Sequence, residues 1–507
     1  MAEIPFHKIS YYCTNYAKTK QSTSSIEVIG IDTEAYSNGQ LAVICLSDGG
    51  VIKPDDCPAF FFTRKYRQRN FVAYNLSYDE GALLQFLTVE QLQELKSEGK
   101  VQWNDYIVTS IPKKMLSIRK GSHSIHIWDI YTFFQGSLNY NSEKYLGKKK
   151  LDIETKSFTR NYFLKNYEKI IDYCVQDAIL VKELAEYLIK TFEKFGIYPR
   201  KLYSTAYISY MYFQKSCNFV TVKKLWERDK RILEFALKSY SGGKFEVTEK
   251  GCDNYYEYDI ISAYPAEIAK LVDISFARYK WSTKYERYAV YGFLHVKMKI
   301  TKDIHSPVVV KQSGVCTFPI GYLDVYITKK EYEFFIAQNI DVTIIEACWL
   351  FCDVKKYPYK KEIERLVELK QQHKHNKDGL EYHTVKILMN SLYGKFCQLI
   401  KKKDVYIASS CWNIIYASVI TSNVRIRVSE IQNKYPDVVA VHTDSVISKT
   451  KIEEFKGDKL GDMTFEKEIE RLVELKQQHK HNKDGLEYHT VKILMNSLYG
   501  KFCQLIK

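Results

Sequence analysis

The 507-residue chain is 46% hydrophobic, long enough and apolar enough for two or three domains with real cores. Lys and Arg number 75 against 60 Asp and Glu, and the formal net charge of +15 suits a partner with a phosphate backbone, though charge alone barely separates that from an ordinary basic surface. No apolar h-region opens the chain, no run of about 18 apolar residues occurs, and the 12 cysteines include no CxxC pair, so the sequence predicts an intracellular protein with reduced thiols, neither Sec-secreted nor membrane-spanning nor a zinc finger.

In chain order, residues 1–25 are polar and predict a loosely held segment. IEVIGI (26–31), LAVICL (41–46) and FVAY (71–74) predict short strands, 80–98 has helical periodicity, and SHSIHIW (122–128) alternates as a strand does. Residues 164–195 predict one long amphipathic helix, ended by Gly196 and Pro199. The mixture predicts an α/β domain over 26–196, followed by a connector over 197–250. Further on, NYYEYDI (254–260) and 291–300 predict strands, 360–400 a long helical stretch, and VVAVH (438–442) a strand before Thr-Asp-Ser. The high aromatic content, 41 Tyr and 26 Phe, is mostly core material, although such rings can also stack on bases.

Residues 361–401 recur without one change as 467–507. A solenoid needs at least about three similar units, so this is not one. One slot in a core cannot hold two copies of the same helix. The repeat therefore predicts a gene-assembly artefact or a recent duplication, and 467–507 receives no function.

Two groups of residues carry chemistry. In GIDTEAY, Asp32 and Glu34 lie two apart at the end of an apolar strand and so share a face. YNLSYDEGALL puts Asn75 just before a helix and Asp79 at its opening, and in YCVQDAILV Tyr173 and Asp177 share a helical face. An acid after a strand is most often a solvated loop residue or a cap. Four acids from three elements, however, are what two divalent cations need to hydrolyse a phosphodiester.

In order and context these residues resemble the ExoI, ExoII and ExoIII motifs of DnaQ-like 3′→5′ proofreading nucleases, which have an RNase H-like fold. The resemblance implies that Asp32, Glu34, Asp79 and Asp177 hold the metals, that Tyr173 orients the attacking water and that Asn75 contacts the primer end. Ser137 and Leu138 sit where that family places a single-strand contact, although a Ser-Leu dipeptide is common.

The second group is YDIISAYP (258–265), KILMNSLYG (386–394), VHTDSVI (441–447) and SYSGGKF (239–245). These resemble motifs A, B, C and YxGG of family B DNA polymerases, in the family's order. The resemblance implies an α+β palm over 251–355 and 402–466 and helical fingers over 356–401. It assigns Asp259 and Asp444 to two Mg²⁺ or Mn²⁺ ions, with two more ions in the nuclease site. It assigns Tyr264, Lys374, Lys386, Asn390 and Tyr393 to the incoming nucleotide, and Tyr240, Gly242, Gly243 and Gly394 to DNA. Tyr264 would be a steric gate against the 2′-OH. The spacing of 386, 390 and 393 predicts one continuous helical face, with Lys386 and Asn390 turned towards Asp259 and Asp444. Lys492 and Asn496 of the second copy are expected far from those acids.

The chain departs from the family in three places. Ala263 replaces the usual Leu of motif A, and His442 stands where motif C usually has its first Asp. No KxY motif occurs after residue 450, so the thumb is expected to be missing. About 125 residues between motifs A and B leave room for the insertion that cradles a terminal protein in protein-primed members. The expected protein is thus a monomeric DNA polymerase of a phage, virus or linear plasmid, working on primer-template DNA and dNTPs in a host cytoplasm or organelle. Two alternatives remain: a nuclease only, or a degenerate passenger remnant.

Overall fold

The computed structural model describes residues 4–11, 23–134, 136–153, 159–249, 254–301, 303–312, 315–402 and 404–469. Most of the second copy, with Lys492 and Asn496, lies outside the described residues, as does much of the polar segment 1–25. The chain forms two compact units. The first holds residues 16–216 and 369–391, and the second holds 1–15, 217–368 and 392–507.

The first unit is built on β1 (Val28–Ala35), β2 (Leu41–Leu46), β3 (Val51–Ile52), β4 (Asn70–Ala73), α1 (Ser77–Leu83), α2 (Val89–Glu98), β5 (Lys100–Trp103), β6 (Tyr106–Ile111), β7 (Met115–Lys120) and β8 (His123–Asp129). Helices α3 (Leu138–Leu146), α4 (Arg160–Lys165), α5 (Tyr167–Lys194) and α6 (Thr205–Ser216) follow. The eight strands make one sheet in the order β3-β2-β1-β4-β8-β7-β6-β5. Strand β4 runs parallel to β1 and β8, and the other pairs are antiparallel. LAVICL reads as an unbroken apolar run because β2 is covered on both faces. Ile44 and Leu46 pack with Phe71 and Leu83, while Val43 and Cys45 pack with Phe163, Ile170 and Cys174.

Two helices expected as single pieces are each broken. Thr88 forms a capping box with Gln91 and starts α2 afresh, so the helical pattern over 80–98 is split. Asn166 likewise separates α4 from α5, at the start of the stretch read as one helix. Strand β1 runs on to Ala35, so Asp32 and Glu34 lie within it rather than at its end.

The second unit contains α7 (Arg231–Ser239), β9 (Lys244–Val247), β10 (Tyr255–Ile260), α8 (Ala263–Ala269), β11 (Arg278–Trp281), β12 (Tyr291–Ile300), β13 (Gly321–Thr328), α9 (Lys329–Ala337) and β14 (Val342–Phe351). It is completed by α10 (Ile414–Lys434), β15 (Val438–Thr443), β16 (Ser445–Ser448) and β17 (Met463–Ile469). One antiparallel sheet has the order β9-β15-β16-β10-β17 and another the order β11-β14-β12-β13. Helix α10 is buried nearly all round and serves both cores. Ile426 packs into the core of the four-stranded sheet, and Val424 and Val428 into that of the five-stranded one.

The long helical stretch predicted over 360–400 is three α-helices, Lys360–Gln372, Leu380–Asn390 and Tyr393–Phe396, with a 3₁₀ helix at Lys374–Asn376 between the first two and a strand at Leu399–Lys402 after the last. The repeat takes two conformations at its start. Lys361-Glu362-Ile363 is helical, whereas the identical Lys467-Glu468-Ile469 extends β17 and pairs with Tyr255–Glu257 of β10. A tripeptide's own preference is weak, and the neighbouring strand decides. Among the described residues, no helix is long and apolar enough to cross a membrane.

Candidate active sites

The first candidate site lies where α1 and α5 meet β1. Gly30 permits it: a Cβ on Gly30 would lie 1.8 Å from the Ala178 carbonyl oxygen and 3.1 Å from the Lys182 nitrogen. Strand and helix therefore touch backbone to backbone, which brings Tyr173 and Asp177 down beside Asp32 and Glu34. Ligand atoms of Asp32, Glu34 and Cys174 all lie within 4.8 Å of one another. The other two acids are held by partners of their own. Asp79 accepts a 2.7 Å hydrogen bond from the Thr33 hydroxyl, and Asp177 forms a 2.5 Å ion pair with Lys150. The Lys150 ammonium also lies 5.1 Å from the centre of the Tyr173 ring.

Crowding of like charge shows in the protonation equilibria. Desolvation, then the negative charges of Asp79, Asp177 and Glu34, hold Asp32 well above the usual carboxylate range. Burial first and Asp177 next push Glu34 up to about 8. Burial also lifts Asp79 to about 7, against the pull of the Thr33 hydrogen bond. Acids held this close to neutrality by burial and by one another are relieved by a cation. The Oδ1 atom of Asp177 is buried without a hydrogen-bond partner, which is a further unmet demand for one. The donor set therefore fits divalent metal ions.

Around this cluster, Asn75 has a left-handed backbone (φ 65°), and its N–H donates to Asp129 Oδ1 at 3.1 Å. Ser137 is the N-cap of α3, accepting from the Tyr140 N–H at 3.2 Å, and Leu138 is buried. Ordinary structural duties account for both of these residues.

The second candidate site is in the second unit, at one end of the five-stranded sheet. Asp259 on β10 pairs with Ser445 on β16, and the Ile260 N–H donates to the Asp444 carbonyl at 3.0 Å. That register sets Asp444 one residue from the position opposite Asp259. The turn carrying Asp444 is strained: Thr443, a β-branched residue, has φ 61°, and its hydroxyl donates to Asp444 Oδ1 at 2.7 Å. Ser262, within motif A, has φ 49°. Non-glycine residues in this region persist only where their surroundings force them, and such places are often functional. Burial holds the Asp444 carboxyl above its ordinary range.

The rings of Tyr264 and Tyr393 stack with centroids 4.3 Å apart and planes 13° from parallel. Gly243 fits against them, since a Cβ there would lie 2.9 Å from Thr443 Cγ2 and 3.0 Å from the Tyr264 hydroxyl. Gly242 is under no such pressure, with nothing within 4 Å of its added Cβ. Tyr240 donates its hydroxyl to Cys397 Sγ at 3.2 Å. His442 stacks on Phe245, 4.6 Å away and 6° from parallel.

The candidate contact residues of 356–401 are divided between the units. Lys374, Lys386 and Asn390 belong to the first, and Tyr393 and Gly394 to the second. Lys386 and Asn390 are exposed on one side of the helix Leu380–Asn390, whose Val385 and Leu388 are buried. The continuous face expected to reach Tyr393 is interrupted, because that helix ends at Asn390 and Tyr393 opens another.

Sequence reasoning missed several contributors. Lys150 sits in a run of three lysines that reads as solvated charge. Gly30 and Cys174 are single residues with no pattern around them. Arg425 lies in α10, a segment assigned no element, and is 1% exposed. It pairs with Glu331 at 2.6 Å and donates to the carbonyls of Ser241, Gly242 and Pro307, each at 2.8 Å. It thus holds the SYSGG loop from behind. Arg427 stands two residues on and is exposed, so no local pattern singled out Arg425.

A family model for DNA polymerase type B, organellar and viral, matches residues 113–435. A DNA polymerase of Acidianus bottle-shaped virus (isolate Italy/Pozzuoli) is 28% identical over 328 residues, covering 61% of this chain and 47% of its own. The primer-independent DNA polymerase PolB of Escherichia coli is 26% identical over 242 residues, covering 42% of this chain and 28% of its own. The chain spans less than half the length of these curated relatives. Among solved structures, Phi29 DNA polymerase in complex with primer-template DNA and incoming nucleotide is similar with a TM-score of 0.63 at 15% identity, over 89% of this chain and 85% of that one. At that identity the likeness establishes the fold.

Proposed function

The chain belongs to the organellar and viral type B DNA polymerases, and on that premise we propose that it is a DNA-directed DNA polymerase with its own 3′→5′ proofreading exonuclease. The observation that carries the synthetic role is the register of β10 against β16, which brings the backbones of Asp259 and Asp444 to neighbouring positions at one end of a sheet. Mg²⁺ or Mn²⁺ ions held by these two acids would neutralise charge on the triphosphate and activate the primer 3′-OH. The chain's own groups do the rest. Tyr264, backed by the Tyr393 ring, lies under the sugar and leaves no room for a 2′-OH. Lys374, Lys386 and Asn390 bind the incoming nucleotide, while Tyr240, Gly242, Gly243 and Gly394 contact the DNA.

In the nuclease site, Asp32, Glu34, Asp79 and Asp177 would hold the metal pair. The Lys150 ammonium fixes Asp177 and sits over Tyr173, which orients the attacking water. Asn75 holds the frayed primer end. The insertion between motifs A and B carries the four-stranded sheet and supports priming by a terminal protein, in replication of a viral, phage or plasmid genome.

Incubating the purified chain with a labelled primer-template, with and without dNTPs, tests this reading. Asp444→Asn should stop extension and keep degradation of the primer end. Asp32→Asn combined with Glu34→Gln should do the reverse. Loss of both activities in either protein, with folding intact, would sink the two-site assignment.

A further inference from the structure

The nuclease pocket holds a ligand that hard-metal chemistry does not need. Cys174 follows Tyr173 on α5, and its thiol reaches the Asp32 carbonyl oxygen at 3.5 Å. Its sulfur lies within 4.8 Å of carboxylate oxygens of both Asp32 and Glu34, which themselves lie within 4.8 Å of each other. Mg²⁺ and Mn²⁺ select oxygen and gain nothing from sulfur, whereas thiolates favour Zn²⁺ and its congeners. A buried cysteine is often just a small apolar filler. This one is set apart by facing two carboxylates in the same pocket.

We propose that Cys174 joins Asp32 and Glu34 in binding a thiophilic divalent cation of the Zn²⁺ class, an inference that rests on the nuclease reading of this pocket. Zn²⁺ takes sulfur at about 2.3 Å and carboxylate oxygen at about 2.0–2.2 Å, so tetrahedral donors stand roughly 3.5 Å apart. Three donors already lie within 4.8 Å of one another, not far above that spacing. The backbone contact between Gly30 and Ala178 fixes α5, and with it the sulfur, against the strand that carries the acids. Binding expels the thiol proton to solvent and forms a metal–sulfur bond, with no oxidation or reduction. The pocket is then a site where Zn²⁺ competes with Mg²⁺ for the same carboxylates.

Cd²⁺ is the probe, because cadmium–thiolate bonds give an ultraviolet charge-transfer band. Titrating the full chain with Cd²⁺, with a chromophoric chelator in competition, should show that band. Cys174→Ser and Cys174→Ala should both lose it and bind Cd²⁺ about tenfold or more weakly, whereas Cys411→Ser should behave as the parent does. Circular dichroism identifies any variant that has failed to fold, and either substitution suffices if the other fails. Cd²⁺ binding and the band unchanged in a folded Cys174 variant would overturn the proposal. If Asp32→Asn with Glu34→Gln abolishes Mg²⁺-dependent degradation while that overturning result is found, only the thiol's role falls. If the double variant still degrades primer ends, the nuclease reading falls as well.

Discussion

Gly30 on β1 and Ala178 on α5 stand so close that the smallest side chain at position 30 would sit 1.8 Å from the Ala178 carbonyl oxygen. That contact sets the separation between the strand bearing Asp32 and Glu34 and the helix bearing Asp177. Gly30→Ala should therefore push the helix away, at an overpacking cost of about 1–3 kcal/mol or more. Degradation of primer ends should fall much further than extension of the same primer. Thermal unfolding together with the two assays checks this, and equal losses in both activities would contradict it.

The stacked pair of Tyr264 and Tyr393 leads to a test of sugar selection. Tyr264→Val removes the ring that would meet a 2′-OH, a repulsive device whose loss relaxes discrimination. The ratio of ribonucleotide to deoxyribonucleotide incorporation should rise on the order of 10- to 100-fold, since a lost clash of about 1.4–2.8 kcal/mol corresponds to that ratio. Single-nucleotide extension measures it. An unchanged ratio removes Tyr264 from the role.

Arg425 makes a different kind of claim, because it is buried and acts through the motif loop whose carbonyls it holds. Arg425→Met keeps the length of the side chain but strands Glu331 and two loop carbonyls. Breaking such a buried pair from one side typically costs about 3–5 kcal/mol. The midpoint of chemical denaturation should fall accordingly. In whatever fraction folds, the KM for primer-template should rise more than kcat falls.

The acid cluster gives a pH dependence with a definite sign. Glu34 has an ordinary value of 4.5 and is pushed up to about 8, by burial and then by Asp177. A carboxyl raised on folding keeps its proton more tightly in the folded state, so its contribution is complete below the ordinary value and is lost as pH rises through the folded one. With a chelator present, the first unit should lose stability between pH 4.5 and about 8. Saturating Mg²⁺ should flatten that fall by favouring the charged form. Thermal melts across the window, with and without Mg²⁺, make the comparison.

Much of this was legible in the sequence, and what was not has physical reasons. LAVICL, the strand at 291–300 and the spacing of the acidic motifs could be read because periodicity and motif order are local. Helix α10 could not: its sequence, IIYASVITSNVRIRVSEIQNK, is rich in β-branched residues and buried nearly all round, so it shows neither strong helical propensity nor a broad amphipathic stripe. Lys150 and Cys174 matter through partners far along the chain, and no local pattern announces such a partner. The motif B face failed beyond Asn390 because spacing alone assumes an unbroken helix.

Strand β17 closes one edge of the five-stranded sheet, and its last residues, Lys467 to Ile469, are spelled identically to a stretch of helix. Lys467 also pairs with Glu257 at 3.0 Å, pinning the strand in place. Remove it and β10, the strand that carries Asp259, would offer a bare row of amides and carbonyls to any extended chain nearby. A preparation clipped after Asp462 would then be prone to self-association and precipitation, so proteolysis near this point would first be noticed as poor solubility.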